Sequence, residues 1–261
     1  MITKSILDRS MILREDAIDS GSLASMGSII HKVTESGDYR GDVYRGTAKV
    51  GTFYLTVSEN GEAASDCEKS PRQLDIDLAG LDRSLGKATK DCGNRFTLRA
   101  GGNIVFTALS GSGGYAIELL RREKGKESVK VFDSRKLGEG DLFIVHIMRP
   151  GLYSIKNTNG KRQTELTVEY PDPEKLQLKT DPFLVEFKDE EIVPNRIVIQ
   201  PVQALMFDPK DESRITIELK KADDRPAPVR VPIVTPSKAR KKKSPAVAGQ
   251  KTILRKIRFY G

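Results

Sequence analysis

Arg95-Phe-Thr-Leu-Arg99, Asn103-Ile-Val-Phe-Thr-Ala-Leu109 and Tyr115-Ala-Ile-Glu-Leu-Leu120 follow one another with only Ala100-Gly-Gly102 and Ser110-Gly-Ser-Gly-Gly114 between them. Short runs of aromatic and β-branched residues, alternating with polar ones and bounded by glycine, specify strands rather than helices. The signal continues upstream in Thr52-Phe-Tyr-Leu-Thr-Val-Ser58 and Leu74-Asp-Ile-Asp-Leu78, with loops read at 60–71 and 82–93. Downstream it runs through Val129-Lys-Val-Phe132, Leu142-Phe-Ile-Val-His-Ile-Met148, Leu152-Tyr-Ser-Ile155 and Glu165-Leu-Thr-Val-Glu-Tyr170. This spacing predicts a mainly β chain whose principal unit is an antiparallel β-sandwich over residues 38–171. The composition agrees: 13 prolines, 22 glycines and no Trp suit many short strands and turns, and 38% hydrophobic residues supply a core.

Pro171-Asp-Pro173 reads as a boundary, because proline cannot donate to a ladder and restricts the residue before it. Beyond it the strand pattern starts again. Arg95–Phe106 aligns without gaps on Arg196-Ile-Val-Ile-Gln-Pro-Val-Gln-Ala-Leu-Met-Phe207, and with one gap Ile117-Glu-Leu falls on Ile217-Glu-Leu. A shorter second β unit is therefore expected at 175–222, a partial repeat of the first. Residues 1–37 read as an arm, partly helical through Ile2, Ile6 and Leu13, then interrupted by Ser20-Gly-Ser-Leu-Ala-Ser-Met-Gly-Ser28.

A strand, the Ala100-Gly-Gly turn, a strand ending in Phe, a polar loop and another strand resemble the opening of a cupredoxin-like sandwich. Gly138-Glu-Gly-Asp-Leu-Phe-Ile-Val-His-Ile-Met-Arg-Pro-Gly-Leu-Tyr-Ser-Ile155 looks like that family's closing segment, where a Pro-Gly-x-Tyr turn introduces the ligand loop. The resemblance covers residues 94–170, is half echoed at 195–221, and implies a cupredoxin-like or immunoglobulin-like arrangement. It does not extend to copper, which needs two imidazoles and a thiolate. The corresponding loop reads Ser154-Ile-Lys-Asn-Thr-Asn-Gly160, and Tyr115 or Arg214 takes the upstream His position.

Other chemistries also lack a complete residue set in this chain. His146 and Met148 would share a strand face, but two groups do not make a metal site. His31, the one other His, falls in the arm, so no hydrolytic triad is indicated. Ser110–Gly114 is neither Gly-x-Ser-x-Gly nor a phosphate loop, and reads as a hairpin connection. Asp75 and Asp77 begin like a calcium loop, but Ala79 and Gly86 stand at its fifth and twelfth positions. Both are expected on a solvent face, with Leu74, Ile76 and Leu78 turned to the core. Cys67 and Cys92 read as free thiols. Asp189-Glu-Glu191 and Asp208–Glu212 read as solvating turns. No catalytic, cofactor-binding or metal residue is assigned, and no cofactor is expected.

The formal charge of +8 is unevenly placed: eleven of the 44 Lys and Arg, and none of the 36 acidic residues, follow Asp224. Residues 1–224 thus carry 33 basic and 36 acidic side chains. The extension 223–261 contains prolines 226, 228, 232 and 236, a cluster of Lys238, Arg240, Lys241, Lys242 and Lys243, and an apolar end with Ile253, Leu254, Ile257, Phe259 and Tyr260. An apolar end calls for something to cover it. No apolar run reaches the length of a signal peptide or a membrane span, so the chain is expected to be soluble and cytoplasmic, with no membrane partner.

These readings predict a non-enzymatic structural or adaptor subunit that docks its terminal arms on a protein partner or a second copy of itself. The alternative is a nucleic-acid-associated protein that binds phosphates through the basic tail. A third reading, an enzyme or ligand-binding sandwich, requires a site that sequence does not identify.

Overall fold

The structure, a computed structural model, describes residues 16–59, 70–85, 94–122, 128–160, 162–170, 179–188 and 191–224. The chain divides into a body, Met1–Pro228, and a C-terminal piece, Val229–Gly261, which lies outside the described residues. The body is mainly β. Its first strands are β1 (Ala17–Asp19), β2 (Gly27–Val33), β3 (Gly37–Arg45), β4 (Ala48–Ser58), β5 (Gln73–Asp77), β6 (Arg95–Arg99), β7 (Gly102–Thr107) and β8 (Tyr115–Arg122). There follow β9 (Val129–Asp133), β10 (Asp141–His146), β11 (Gly151–Asn157), β12 (Gln163–Val168), β13 (Phe183–Lys188), β14 (Glu191–Val193), β15 (Arg196–Ile199), β16 (Ala204–Pro209) and β17 (Ile215–Ala222). One helical turn, α1 (Leu78–Leu81), is capped by the Asp77 side chain.

These strands form three sheets. Sheet I has the order β6-β4-β3-β8-β9, sheet II the order β14-β13-β16-β10-β2-β7-β5, and sheet III the order β1-β17-β11-β12-β15. Their apolar faces meet in one core, because alternate residues along each strand point inward. In β4, for example, Phe53, Leu55 and Val57 are buried between the more exposed Tyr54 and Thr56.

Antiparallel pairing dominates, but β4 with β6, β5 with β7, β12 with β15 and β13 with β16 pair in parallel. Parallel neighbours need a crossover. Here a strand supplies it: the chain alternates between sheets I and II through β4, β5, β6 and β7, so each strand returns beside the one before last.

Sheets I and III are built alike, β6-β4-β3-β8-β9 matching β15-β12-β11-β17-β1. The correspondence is visible in residues: Asp19 and Asp133, Ser20 and Ser134, Leu23 and Leu137, Gly37 and Gly151, and Tyr39 and Tyr153 are all 114 positions apart. The two halves exchange their edges. β1 of the first half completes sheet III beside β17, and β9 of the second half completes sheet I beside β8. Ser20 and Ser134 fasten the exchange identically, their Oγ atoms accepting from Ile215 N at 3.0 Å and Ile117 N at 2.9 Å. In sheet II, β2 and β10 pair with Ile29 opposite Phe143, residues that are themselves 114 positions apart, so an approximate two-fold axis passes between them.

Several expectations change in this light. The described part of the supposed arm 1–37 contributes two strands to the body: β2 lies near the middle of sheet II, and β1 closes sheet III. Three-residue β1 has no periodicity of its own, and its partner lies some two hundred residues downstream. Sheets II and III also continue across the boundary expected at 171–173, itself outside the described residues, so 38–171 and 175–222 share sheets. Ser110–Gly114 is not a hairpin, since β7 belongs to sheet II and β8 to sheet I. Gly113, at φ +67, permits that crossover: a Cβ there would lie 2.7 Å from Ala24 Cα. Finally, β3 pairs Val43 with Ile117 while β11 pairs Asn157 with Ile215, which makes Ile215, not Ile217, the counterpart of Ile117. A two-residue slip keeps every side chain on its face, so a hydrophobic pattern does not detect it.

Candidate functional site

The tail residues Lys238, Arg240, Lys241, Lys242, Lys243, Ile253, Leu254, Ile257, Phe259 and Tyr260 all lie outside the described residues, as do Cys67 and Cys92. His31 sits on β2, its Nδ1 2.7 Å from Asp141 Oδ1 and its ring stacked on Phe132 at 4.2 Å. It therefore joins β2, β10 and β9 across the exchanged halves. His146 ends β10 on the face opposite buried Phe143, Val145 and Ile147, with Met148 just beyond the strand. Asp75 is exposed, whereas Asp77 Oδ1 accepts from Ala79 N at 3.2 Å and Leu109 N at 3.1 Å, so it caps α1 and holds the crossover. Among the described residues no group of three or more His, Cys, Asp or Glu is arranged to hold a metal.

The duplication offers an internal comparison of matching corners. In the first half, Tyr115 fills the space, its hydroxyl donating to Asp82 Oδ2 at 3.0 Å, with Arg45 Nη1 3.7 Å from the same oxygen. Burial alone would raise the Asp82 carboxyl, but hydrogen bonds from Ser84 and Tyr115 and the charge of Arg45 hold it below the ordinary value. Burial, then the bond to Asp82, pushes Tyr115 up to about 12. In the second half Ser213 takes the place of Tyr115 in the bridge to Leu137, leaving a cleft of about 430 Å³ beside Asn157, Phe187, Lys188, Asp211 and Glu212. Its polar groups brace the loop: Asn157 Nδ2 donates to Ser213 Oγ at 2.9 Å, and Asn157 Oδ1 accepts from Arg214 N at 3.1 Å. Ser213 Oγ in turn donates to Asp211 O at 2.8 Å, which commits the hydroxyl to the loop.

Two open sheet faces are more distinctive. On the outer face of sheet II, pairing aligns Leu184, Met206 and Ile144 in one row, and Leu142, Ile30 and Val105 in the next. Leu184 is 47% exposed and the other five are half-buried. Asp75, beside Val105, ends the second row, and Asp77 on the same strand ends the first; Glu186 and Asp208 stand at the opposite side, with Lys32, Lys188 and Lys210 along one margin.

On the outer face of sheet I, Tyr54 pairs with Arg40 on one side and Arg95 on the other. The guanidinium carbons of Arg95 and Arg122 lie 5.2 and 5.4 Å from the centre of its ring. Sequence reading missed both faces. Alternation places Tyr54 on the polar side of its strand, but which strands flank it is a matter of long-range pairing.

Neither a protein-family model, nor a curated protein, nor a solved structure matches the chain. No helix among the described residues is long and apolar enough to cross a membrane.

Proposed function

We propose that the chain is a non-enzymatic structural subunit that assembles with copies of itself, the C-terminal segment 252–260 of one copy docking on the outer face of sheet II of the next. The aliphatic rows of that face carry the reading. Six adjoining apolar side chains on an open sheet are an association surface rather than scattered surface residues. The segment is complementary in composition, with Ile253, Leu254, Ile257, Phe259 and Tyr260 interspersed with Arg255, Lys256 and Arg258, and Asp75, Asp77 and Glu186 stand at the ends of the rows. Thirty-seven residues follow Asp224, and an extended chain covers roughly 3.3 Å per residue, so reach to a neighbouring body is not limiting. Such a contact joins two different surfaces, so it propagates from copy to copy unless the rotation closes a ring.

Sedimentation of the full chain, of a chain ending at Asp224 and of full-length Ile144→Glu tests this. The full chain should form species larger than a monomer, and both variants should remain monomeric at the same concentration. A full chain that stays monomeric, or an Ile144→Glu protein that assembles like its parent, rules the reading out.

A further inference from the structure

The face centred on Tyr54 is the strongest unexplained feature of the body. Two guanidinium groups, from Arg95 and Arg122, lie over one aromatic ring on an open sheet, and Arg40 is the cross-strand neighbour of that ring on β3. Arg99 continues the row on β6 opposite Ser58, and Lys49 lies further along β4. This concentration is not a consequence of general basicity, since residues 1–224 carry more acidic than basic side chains.

The second half provides the contrast. There Glu165 occupies the position of Tyr54, paired with Arg196 where Tyr54 pairs with Arg95, and with Ser154 where Tyr54 pairs with Arg40. A carboxylate at the centre supplies compensating charge. An aromatic ring does not: it holds guanidinium groups by its quadrupole, at about 0.5–1 kcal/mol each at an exposed site, and leaves their charge and N–H donors directed outward. The nearby carboxylates are engaged. Asp42 lies 3.2 Å from Arg40 Nη2 and 2.7 Å from Lys49 Nζ, and Asp38, opposite Arg122, accepts from Thr56 Oγ1 at 2.8 Å. Arg40 Nε is buried without a partner.

We infer that this face binds single-stranded nucleic acid, with Arg95 and Arg122 on its phosphates and Tyr54 holding both arginines in place. Guanidinium forks match phosphate oxygens two at a time, which a lysine does not. Unpaired bases stack on guanidinium and aromatic planes alike, so an aromatic among the arginines serves a nucleic acid better than an acidic peptide. A flat sheet face has no projecting element to enter a groove, which disfavours a duplex.

Fluorescence anisotropy with labelled oligothymidylate and oligouridylate, on the full chain and over a range of salt, tests the assignment. Arg95→Glu with Arg122→Glu should weaken binding about tenfold or more and reduce the slope of log affinity against log salt by about 1.4, two phosphates at roughly 0.7 each. Tyr54→Leu should weaken it several-fold. Arg196→Glu with Lys220→Glu, the matching pair on sheet III, should leave it unchanged. If the glutamate pair does not fold, as judged by circular dichroism, Arg95→Gln with Arg122→Gln takes its place. The proposal is overturned by no binding by the parent at low salt, by equal binding by the Arg95 and Arg122 variants, by equal binding of the matched duplex, or by competition by polyglutamate as effective as by oligothymidylate. Lys241→Glu, Lys242→Glu and Lys243→Glu in one chain separate the tail from the face; if they alone abolish binding, the face is not the site. Loss of self-assembly without loss of binding would leave this inference standing while removing the docking reading.

Discussion

Tyr39 and Tyr153 occupy matching positions and do the same work: each hydroxyl donates at 2.7 Å to a backbone carbonyl four residues back, Glu35 O and Arg149 O. Each fixes the corner at which the chain enters the central strand of its outer sheet. Burial pushes Tyr153 up to about 12 and raises Tyr39 in the same direction. An unfolded tyrosine ionises near pH 10 while the folded one stays neutral, so the contribution is complete below about pH 10 and is lost as pH rises toward 12. Urea midpoints measured across that window should fall, and Tyr153→Phe should fall less steeply while being less stable by about 1 kcal/mol at neutral pH for want of the hydrogen bond. An unchanged slope would mean that Tyr153 ionises as freely in the folded protein as in the unfolded. Pro150-Gly-Leu-Tyr153 was legible as a turn before an aromatic strand; its counterpart Ser36-Gly-Asp-Tyr39 was not, because its proline is absent and it lies next to the supposed arm.

At the level of elements, the halves solve one packing problem in opposite ways. In the first, Gly41 on β3 pairs with Phe53 on β4; in the second, Ile155 on β11 pairs with Thr164 on β12. The bulky side chain has moved to the neighbouring strand. A Cβ on Gly41 would lie 2.0 Å from the Phe53 ring, so Gly41→Ile alone should destabilise by about 3 kcal/mol or more, or prevent folding. Gly41→Ile with Phe53→Val imports the second half's distribution of volume and should recover most of the loss in a urea melt. Val is preferable to Thr here because Thr164 Oγ1 has a carbonyl to bond, Asn195 O at 2.5 Å. A double variant no better than the single would show that the ring of Phe53, which lies 6.1 Å from those of both Phe96 and Phe106, is needed for itself. Strand identity was legible from β4 to β12 because alternation is a local property. β1, β2 and the sheet assignments were not, since Ser20–Ser28 reads as a breaker until Ser20 and Leu23 are seen bonded to Ile215 and Tyr115.

The whole body has the organisation of a symmetric dimer carried on one chain. Sheet II is continuous across the approximate axis, and each outer sheet owns an edge strand from the opposite half, so neither half can close its own edges. Unfolding of the body should accordingly be a single cooperative transition, with tyrosine fluorescence and far-ultraviolet circular dichroism coinciding. Residues 1–127 contain β1 through β8 but lack β9, and β1 is the structural match of β9. Two copies should satisfy each other, with β1 of one copy taking the place of β9 beside β8 of the other and the β2 strands pairing across the axis, Ile29 opposite Ile29 in place of Phe143. The expected product is a folded homodimer with strand content like the parent's, weaker than the parent because the Phe143–Phe207 stack at 5.9 Å is missing from the centre. Sedimentation and circular dichroism against concentration decide it. Loss of β signal on dilution, in step with loss of the dimer, is the behaviour that exchanged edges require. A stable folded monomer would show instead that the first half closes sheet I without help, and that the exchange of β1 and β9 is incidental to the fold.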